Sequence, residues 1–212
     1  MERAERARKI VERLKEAYPA TQCTLDYDEA WKLLVSVRLA AQCTDERVNQ
    51  VTPAIFDRYP SADALAEASE AELGELVRSC GFWRAKARDI IACMRALRDR
   101  FDGHVPADMD ALLTLPGVGR KSANLVLGDI FGQPAIVADT HCIRLSNRMG
   151  LADSTDPAKV EAQLRPLIPS EESNDFCHRM VDHGRAVCSA RTKPRCGDCC
   201  LRDLCPRIGV EG

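Results

Sequence analysis

Residues 108–131, DMDALLTLPGVGRKSANLVLGDIF, contain two apolar patterns of helical period separated by a short glycine turn. The same period recurs on both sides of this stretch, and no segment alternates apolar and polar residues as a half-buried strand does. Ser69 and Glu72 fit a capping box at the start of one helix. The sequence therefore predicts an all-α protein, with helices at about residues 1–18, 31–41, 48–56, 69–77, 90–101, 108–114, 120–131, 140–149, 157–168 and 173–187.

The turn between the two central patterns is Leu115-Pro-Gly-Val-Gly-Arg-Lys121. Its glycines permit a tight turn whose backbone N–H groups point outward, and the following helix adds the positive end of its dipole. This combination favours a phosphate, so we predict a helix-hairpin-helix that holds a DNA backbone without reading bases. A simple inter-helix turn is the alternative, but it leaves the Arg-Lys pair unexplained. A nucleotide-binding P-loop is excluded, because that motif needs four residues between its glycines.

Lys121 and Asp139 are the candidate catalytic residues. Lys121 falls in the first turn of its helix beside Arg120, and both the dipole and the neighbouring cation favour the neutral amine that a nucleophilic lysine requires. Asp139, within Val137-Ala-Asp-Thr-His141, lies at or near a helix N-cap. From the residues alone, an ordinary exposed lysine and a capping aspartate remain open.

Charge is unevenly distributed along the 212 residues. The composition, 45% hydrophobic and 29% charged with a net charge of −2, is that of a globular protein and gives no global indication of a polyanionic partner. Residues 57–75 carry six acidic side chains, whereas Cys177–Arg207 carries seven basic and three acidic ones. A local basic segment matters more to a nucleic acid than the total charge does. The alternative is that the basic residues of this segment only keep a surface loop solvated and bind nothing.

Eleven cysteines are the unusual feature of the composition. An odd number of cysteines does not complete a disulfide framework, and the charged N-terminus is followed by no apolar signal core. Together these features predict a reducing cytoplasm, in which the cysteines are thiolate ligands rather than disulfides. Four of them have the spacing C-x7-C-x2-C-x5-C, which suits a 4Fe–4S cluster or tetrahedral zinc. The single C-x2-C pair favours iron–sulfur, because zinc ribbons usually have two. The four are Cys188, Cys196, Cys199 and Cys205, with the adjacent Cys200 as an alternative ligand and the other six expected in the core.

In their order and spacing these motifs resemble the endonuclease III family of helix-hairpin-helix, Gly-Pro-Asp DNA glycosylases. The resemblance extends from Leu33 to Cys205 and includes the glycine turn, the Asp139 segment, His183-Gly-Arg185 and the four cysteines. Leu39-Ala-Ala-Gln-Cys-Thr-Asp45 and Cys80-Gly-Phe-Trp-Arg-Ala-Lys86 are similar to two further elements of the family. The first gap between the cluster cysteines is seven residues here, where the family usually has six.

The resemblance implies two all-α lobes. One is a six-helix barrel at residues 22–132 with the helix-hairpin-helix at about 108–131, and the other joins residues 1–21 to 133–212 and carries a 4Fe–4S cluster. The implied activity is that of a bifunctional DNA glycosylase and AP lyase of base excision repair. Such an enzyme removes oxidised pyrimidines from double-stranded DNA and cleaves the abasic strand by β-elimination. We expect a monomer that acts on the nucleoid in the cytoplasm, without a membrane.

The resemblance also implies a role for each motif. Lys121 is the nucleophile, Asp139 the essential carboxylate, and the four cysteines of the C-x7-C-x2-C-x5-C motif are the cluster ligands. Gln42 fills the space of the extruded base, and Phe82 is the wedge in the opposite strand. The other expected DNA contacts are Gly117, Gly119, Arg120, His141, Arg185, Arg191 and Lys193.

Three alternatives remain open from the sequence. An adenine glycosylase of the same fold would hydrolyse with water and lacks the lysine, so Lys121 argues against it. A non-catalytic DNA-binding module would use the hairpin only as an anchor. An iron–sulfur redox or scaffold protein would need neither Lys121 nor Asp139.

Overall fold

The computed structural model describes residues 1–210, and all regular structure in this part of the chain is helical, as the sequence predicts. Its helices are α1 Arg3–Ala17, α2 Ala30–Ala40, α3 Asp45–Arg58, α4 Ala62–Ala66, α5 Glu70–Leu76, α6 Trp83–Phe101, α7 Met109–Leu113, α8 Arg120–Phe131, α9 Thr140–Arg148, α10 Pro157–Leu164 and α11 Ser173–Ala186. Short 3-10 helices cover Arg78–Cys80 and Ser170–Glu172. No helix among the described residues is long and apolar enough to span a bilayer.

The chain forms two compact units. The central unit is Cys23–Phe131, and the terminal unit is Met1–Gln22 together with Gly132–Gly212. In the central unit the long helix α6 packs against α2, α4 and α5, while α8 packs against α2 and α7. Ile90, Met94 and Leu97 of α6 are buried in this core, and burying a side chain of this size stabilises the fold by about 1.5–3 kcal/mol.

The terminal unit is organised around α11, which packs against both α1 and α9. Arg179 of α11 is 3% exposed. Its guanidinium donates to the carboxylates of Glu172 and Asp175 at 2.7 and 3.0 Å. Arg179, one of the basic residues counted in the Cys177–Arg207 segment, is therefore buried in ion pairs, and the exposed basic surface of that segment is smaller than the sequence suggests.

The helices differ from the prediction in three main places. Helix α6 begins at Trp83 rather than near residue 90, because residues 83–89, WRAKARD, have too few apolar side chains to show the helical period. Helix α4 was not predicted, because five residues are too few to show a helical period. Helix α10 ends at Leu164 rather than near residue 168. Proline lacks the backbone N–H that a helix needs, and Pro166 follows closely. The N–H groups of Leu167 and Ile168 both bond to the carbonyl of Leu164 in a turn.

The capping box predicted at Ser69 and Glu72 is wrong. Ser69 occupies the N-cap of α5, but its side chain accepts no capping hydrogen bond. The Glu72 carboxylate instead accepts a hydrogen bond from the Tyr59 hydroxyl at 3.2 Å and lies 3.6 Å from Arg58. A neighbouring helix thus supplies better partners for Glu72 than its own N-terminus does.

Ser61 and Ser69 are both N-cap residues and form a matched pair. Ser61 is the N-cap of α4, and its Oγ accepts a hydrogen bond from the backbone N–H of Ala64 at 3.1 Å. We expect Ser61→Ala to lower the free energy of unfolding by about 1 kcal/mol, because this bond is lost. Ser69→Ala, which removes no such bond, serves as the control and should lose less than half as much. Urea unfolding measures both, and equal losses would contradict the capping assignment.

Candidate active site

The predicted helix-hairpin-helix is formed by α7, the turn 114–119 and α8. Asp108 begins α7, since its Oδ1 accepts a hydrogen bond from the N–H of Ala111 at 2.8 Å. Leu115 is buried, and its carbonyl accepts from the N–H of Val118 at 3.1 Å. These contacts hold the two helices together across a closed turn.

The two glycines of the turn have different surroundings. Gly117 has a φ of +76°, a conformation that favours glycine, and a Cβ there would lie 2.9 Å from Cδ and Nε of Arg38 and 3.1 Å from Cβ of Asp89. Arg38 and Asp89 form an ion pair of 2.6 Å beneath the turn. A Cβ added to Gly119 would have no neighbouring atom within 4 Å. The inner glycine therefore permits packing, whereas the outer one leaves room for a ligand.

Lys121 lies in the first turn of α8 and is exposed beside Arg120. The opposite face of α8 is fixed in the core by Ala123, Val126 and Leu127. Because that face is buried, the helix N-terminus and its lysine are held at the surface of the central unit.

Asp139 is the N-cap of α9, as predicted, and its Oδ1 accepts a hydrogen bond from the N–H of Cys142 at 2.7 Å. The residues before it, 135–138, are buried. Their backbone is held to α11 by bonds from Ala135 N–H to Ser173 Oγ and from Val137 N–H to Cys177 Sγ. Asp139 itself is half-buried, so the carboxylate is positioned on a rigid segment and keeps access to solvent.

Gln42 and Phe82 share an unusual backbone conformation. Both are exposed, and both have positive φ values, 56° and 47°, although neither is glycine. Gln42 follows the end of α2, and Phe82 is the N-cap residue of α6 with 68% of its surface exposed. Backbone of this kind is often found at functional sites, although Asp102 and Arg207 have a positive φ as well.

His141 lies against the glycine of the His183-Gly-Arg185 motif. A Cβ on Gly184 would meet Nδ1 of His141 at 2.2 Å, so the glycine is required for this close approach within the terminal unit. Arg185 is exposed near the end of α11, and the loop that follows presents Arg191 and Lys193 to solvent.

The four cysteines of the C-x7-C-x2-C-x5-C motif line one open cavity. Cys200 is not among the described residues that line it, and its carbonyl instead accepts from Arg13 at 2.8 Å. No three His, Cys, Asp or Glu side chains within residues 1–210 have the geometry of a single-ion site. Of the remaining six cysteines, four are buried and two, Cys23 and Cys43, are half-buried.

Two polar side chains of the cavity point at cysteine sulfurs. Arg148 donates to Sγ of Cys188 at 3.2 Å, and Nε2 of His183 lies 3.4 Å from Sγ of Cys199. The other ring nitrogen of His183 lies 3.0 Å from the Tyr18 hydroxyl, and burial raises the pKa of Tyr18 to about 12. Because a neutral hydroxyl can donate to Nδ1, the imidazole proton is free to lie on Nε2, facing the sulfur.

Comparison with known proteins identifies the family. The HhH-GPD superfamily of base excision DNA repair proteins matches residues 35–170. Endonuclease III of Synechocystis sp. is 51% identical over 203 residues, which cover 95% of this chain and 92% of that protein. Endonuclease III of Escherichia coli is 39% identical over 196 residues and 92% of each chain.

The chain belongs to the endonuclease III family.

Two solved members of the endonuclease III family extend the similarity to three dimensions. One is a non-covalent endonuclease III–DNA complex and the other a trapped endonuclease III–DNA covalent intermediate. Each superposes with a TM-score of 0.92 at 39% identity, covering 98% of this chain and 97% of the other. The match therefore includes both units.

The sequence gives no indication of three buried or half-buried cations that contact the surroundings of these groups. They are Arg38 beneath the hairpin, Arg148 at the cysteine cavity and Lys86 in the core of the central unit. Each acts through contacts with residues distant in the chain, and no local pattern indicates such contacts.

The glycine pair of the turn provides a test. We expect Gly117→Ala to lower the free energy of unfolding by about 1–2 kcal/mol, because an L-residue at positive φ is strained by that amount and its Cβ collides with Arg38. Gly119→Ala should leave stability unchanged but weaken binding to abasic-site DNA, since its methyl group covers the N–H face of the turn. Thermal unfolding and fluorescence anisotropy measure the two effects. Equal losses of stability would contradict the different roles of the glycines.

Proposed function

We propose that this chain is a bifunctional DNA glycosylase and AP lyase of base excision repair. It removes oxidised pyrimidines from double-stranded DNA and cleaves the resulting abasic strand by β-elimination. The observation that carries the proposal is Lys121, an exposed lysine in the first turn of a helix that follows a glycine hairpin. The relatives of this chain include an endonuclease III that was trapped as a covalent intermediate with DNA, and an amine is the group that such a reaction needs.

The first chemical step replaces the base by the lysine. The Lys121 nitrogen attacks C1′ of the sugar, and the base leaves with the electron pair of the C1′–N bond. The amine passes a proton to O4′ as the C1′–O4′ bond breaks, which opens the sugar to a protonated Schiff base, and the departing base takes a proton from solvent. Asp139 either stabilises the positive charge that develops on the sugar or assists the deprotonation of Lys121. Its position at an N-cap supports this role, because capping fixes the orientation of the carboxylate.

The second step cleaves the strand. The Schiff base acidifies the 2′ proton of the sugar, and its removal expels the 3′ phosphate by β-elimination. Hydrolysis of the imine then releases the enzyme. The adenine-type monofunctional alternative uses water for the first step and has no such second step, so strand cleavage separates the two functions.

Access to C1′ requires that the damaged base leave the stack, which costs a few kcal/mol and least for a damaged pair. Gln42 fills the resulting gap and Phe82 wedges the opposite strand. The hairpin glycines and Arg120 hold the phosphate backbone, with His141, Arg185, Arg191 and Lys193 as further contacts. The exposed, positive-φ backbone of Gln42 and Phe82 supports their assignment as the inserted residues.

The cavity of the terminal unit fits a 4Fe–4S cluster held by Cys188, Cys196, Cys199 and Cys205. Its four thiol side chains suit an iron–sulfur cluster, and Arg148 and His183 supply N–H groups to two of the sulfurs. When bound, such a cluster would cross-link the residues around it. Arg191 and Lys193 lie in the loop between the first two of these cysteines. Fixing those two cysteines would order the loop and hold both cations toward phosphate.

We further propose that the lobes of the enzyme are residues 22–132 and residues 1–21 with 133–212, which the division of the structure at Cys23 and Phe131 supports. The enzyme acts as a monomer on the nucleoid, in the cytoplasm, where a reducing environment protects the thiolates.

Borohydride trapping tests the nucleophile. Wild-type protein should form a covalent complex with abasic-site DNA when the imine is reduced, and Lys121→Ala should form none. Lys159→Ala, an exposed lysine of α10, is the matched control and should trap normally. Asp139→Asn keeps a good N-cap residue but removes the charge, so it should fold and lose about 10²–10⁴-fold in excision rate. Undiminished trapping by Lys121→Ala would overturn the lyase assignment.

The adjacent cysteines test the cluster. Purified protein should be brown and contain iron and acid-labile sulfide in equal amounts. We expect Cys199→Ser to lose both, because Cys199 lines the cavity, and Cys200→Ser to retain both. Metal analysis and visible absorption measure the outcome. A colourless protein with stoichiometric zinc, or cluster loss only in Cys200→Ser, would contradict the assignment.

A further inference from the structure

Among the side chains of residues 1–210 that are less than 2% exposed, that of Lys86 is the largest. It lies in the first turns of α6, with 1% of its surface exposed. Lysines are almost never buried unless their ammonium group is paired, because desolvation of the charge is costly. Burial lowers the pKa of Lys86 for this reason. A cation kept at such a position needs a structural explanation.

The Lys86 ammonium is bound by two backbone carbonyls. Its Nζ donates to the carbonyl of Leu39 at 2.9 Å and to that of Cys80 at 2.7 Å. Leu39 lies in the last turn of α2, where carbonyls lack intrahelical donors, and the N–H of Cys43 bonds to Ala40 instead. Cys80 is the last residue of its 3-10 helix. The ammonium therefore completes the hydrogen bonding of two helix ends, and the negative end of the α2 dipole partly offsets the cost of its burial.

The two carbonyls lie two or three residues before Gln42 and Phe82, the residues proposed to enter the duplex. Gln42 follows Leu39 by three positions, and Phe82 follows Cys80 by two. Both residues have the strained positive φ described above, and such strain persists only where the surrounding structure fixes the chain. One buried ammonium thus binds the backbone just before both Gln42 and Phe82.

We propose that Lys86 is a positioning residue for base extrusion: by binding the Leu39 and Cys80 carbonyls together, it sets the separation of Gln42 and Phe82 so that both enter the duplex at once. This inference rests on the proposed function. Lys86 touches neither DNA nor the reacting atoms, since its side chain is enclosed in the core of the central unit. Its effect is therefore confined to the step in which the base leaves the stack.

The experiment compares two substrates with the same lesion. One is a fully paired duplex containing thymine glycol, and the other places thymine glycol in an unpaired bubble, where extrusion costs little. Single-turnover excision is measured for wild type, Lys86→Met and Ile91→Ala. Ile91 is a fully buried residue of the same helix, so Ile91→Ala reports the effect of a core defect alone.

We expect Lys86→Met to lose about 10- to 100-fold in excision from the paired duplex, the order of loss that a small misplacement causes. Its excision from the bubble should fall less than about threefold. Ile91→Ala should affect both substrates equally. Equal losses on both substrates for Lys86→Met would overturn the positioning role. A wild-type protein that excises from neither substrate would instead contradict the proposed function.

A second variant keeps the test decisive if Lys86→Met fails to fold. Lys86→Arg retains a cation that can donate to both carbonyls, and it should recover paired-duplex excision to within about tenfold of wild type. The fluorescence of 2-aminopurine placed opposite the lesion then reports wedge insertion directly. A folded Lys86→Arg that inserts normally but excises as poorly as an enzyme without Phe82 would overturn the proposal.

Discussion

A helix end leaves backbone N–H or C=O groups without intrahelical partners, and a fold made of short helices has many such ends. Residues assigned to catalysis and base extrusion lie at these ends: Gln42 after α2, Phe82 before α6, Lys121 at the start of α8 and Asp139 at the start of α9. A terminus offers unpaired donors, a dipole and freedom from regular φ and ψ. The helix ends, whose backbone groups the fold must satisfy, are therefore also the places where the residues assigned to the reaction lie.

Two partly or fully buried cations lie behind these helix ends. Lys86 binds the carbonyls behind Gln42 and Phe82, and Arg38 pairs with Asp89 beneath the hairpin. A buried or half-buried cation is costly unless its donors are all used. Such a cation also connects segments that are distant in the chain. Its directional hydrogen bonds fix the relative position of these segments more specifically than apolar packing does.

The sequence predicts much of this because local patterns encode it. The helical period indicated an all-α chain, the two glycines indicated the hairpin turn, and Asp139 was expected at an N-cap, where it lies. What failed was of two kinds. Helix α4 is too short to show a helical period. Ser69 has the residue type of a capping box but accepts no capping hydrogen bond, and the Glu72 carboxylate instead contacts Tyr59 and Arg58. The roles of Lys86 and Arg38 depend on contacts made only after folding, so no pattern in the chain marks them.

The central claim is that a single amine, that of Lys121, forms the covalent bond to the sugar. Peptide mapping of the borohydride-reduced complex by mass spectrometry tests it most directly, because it identifies the modified nitrogen rather than the loss of a reaction. We expect the deoxyribose remnant on the peptide that contains Lys121. A remnant on the N-terminal amine or on another lysine would contradict it.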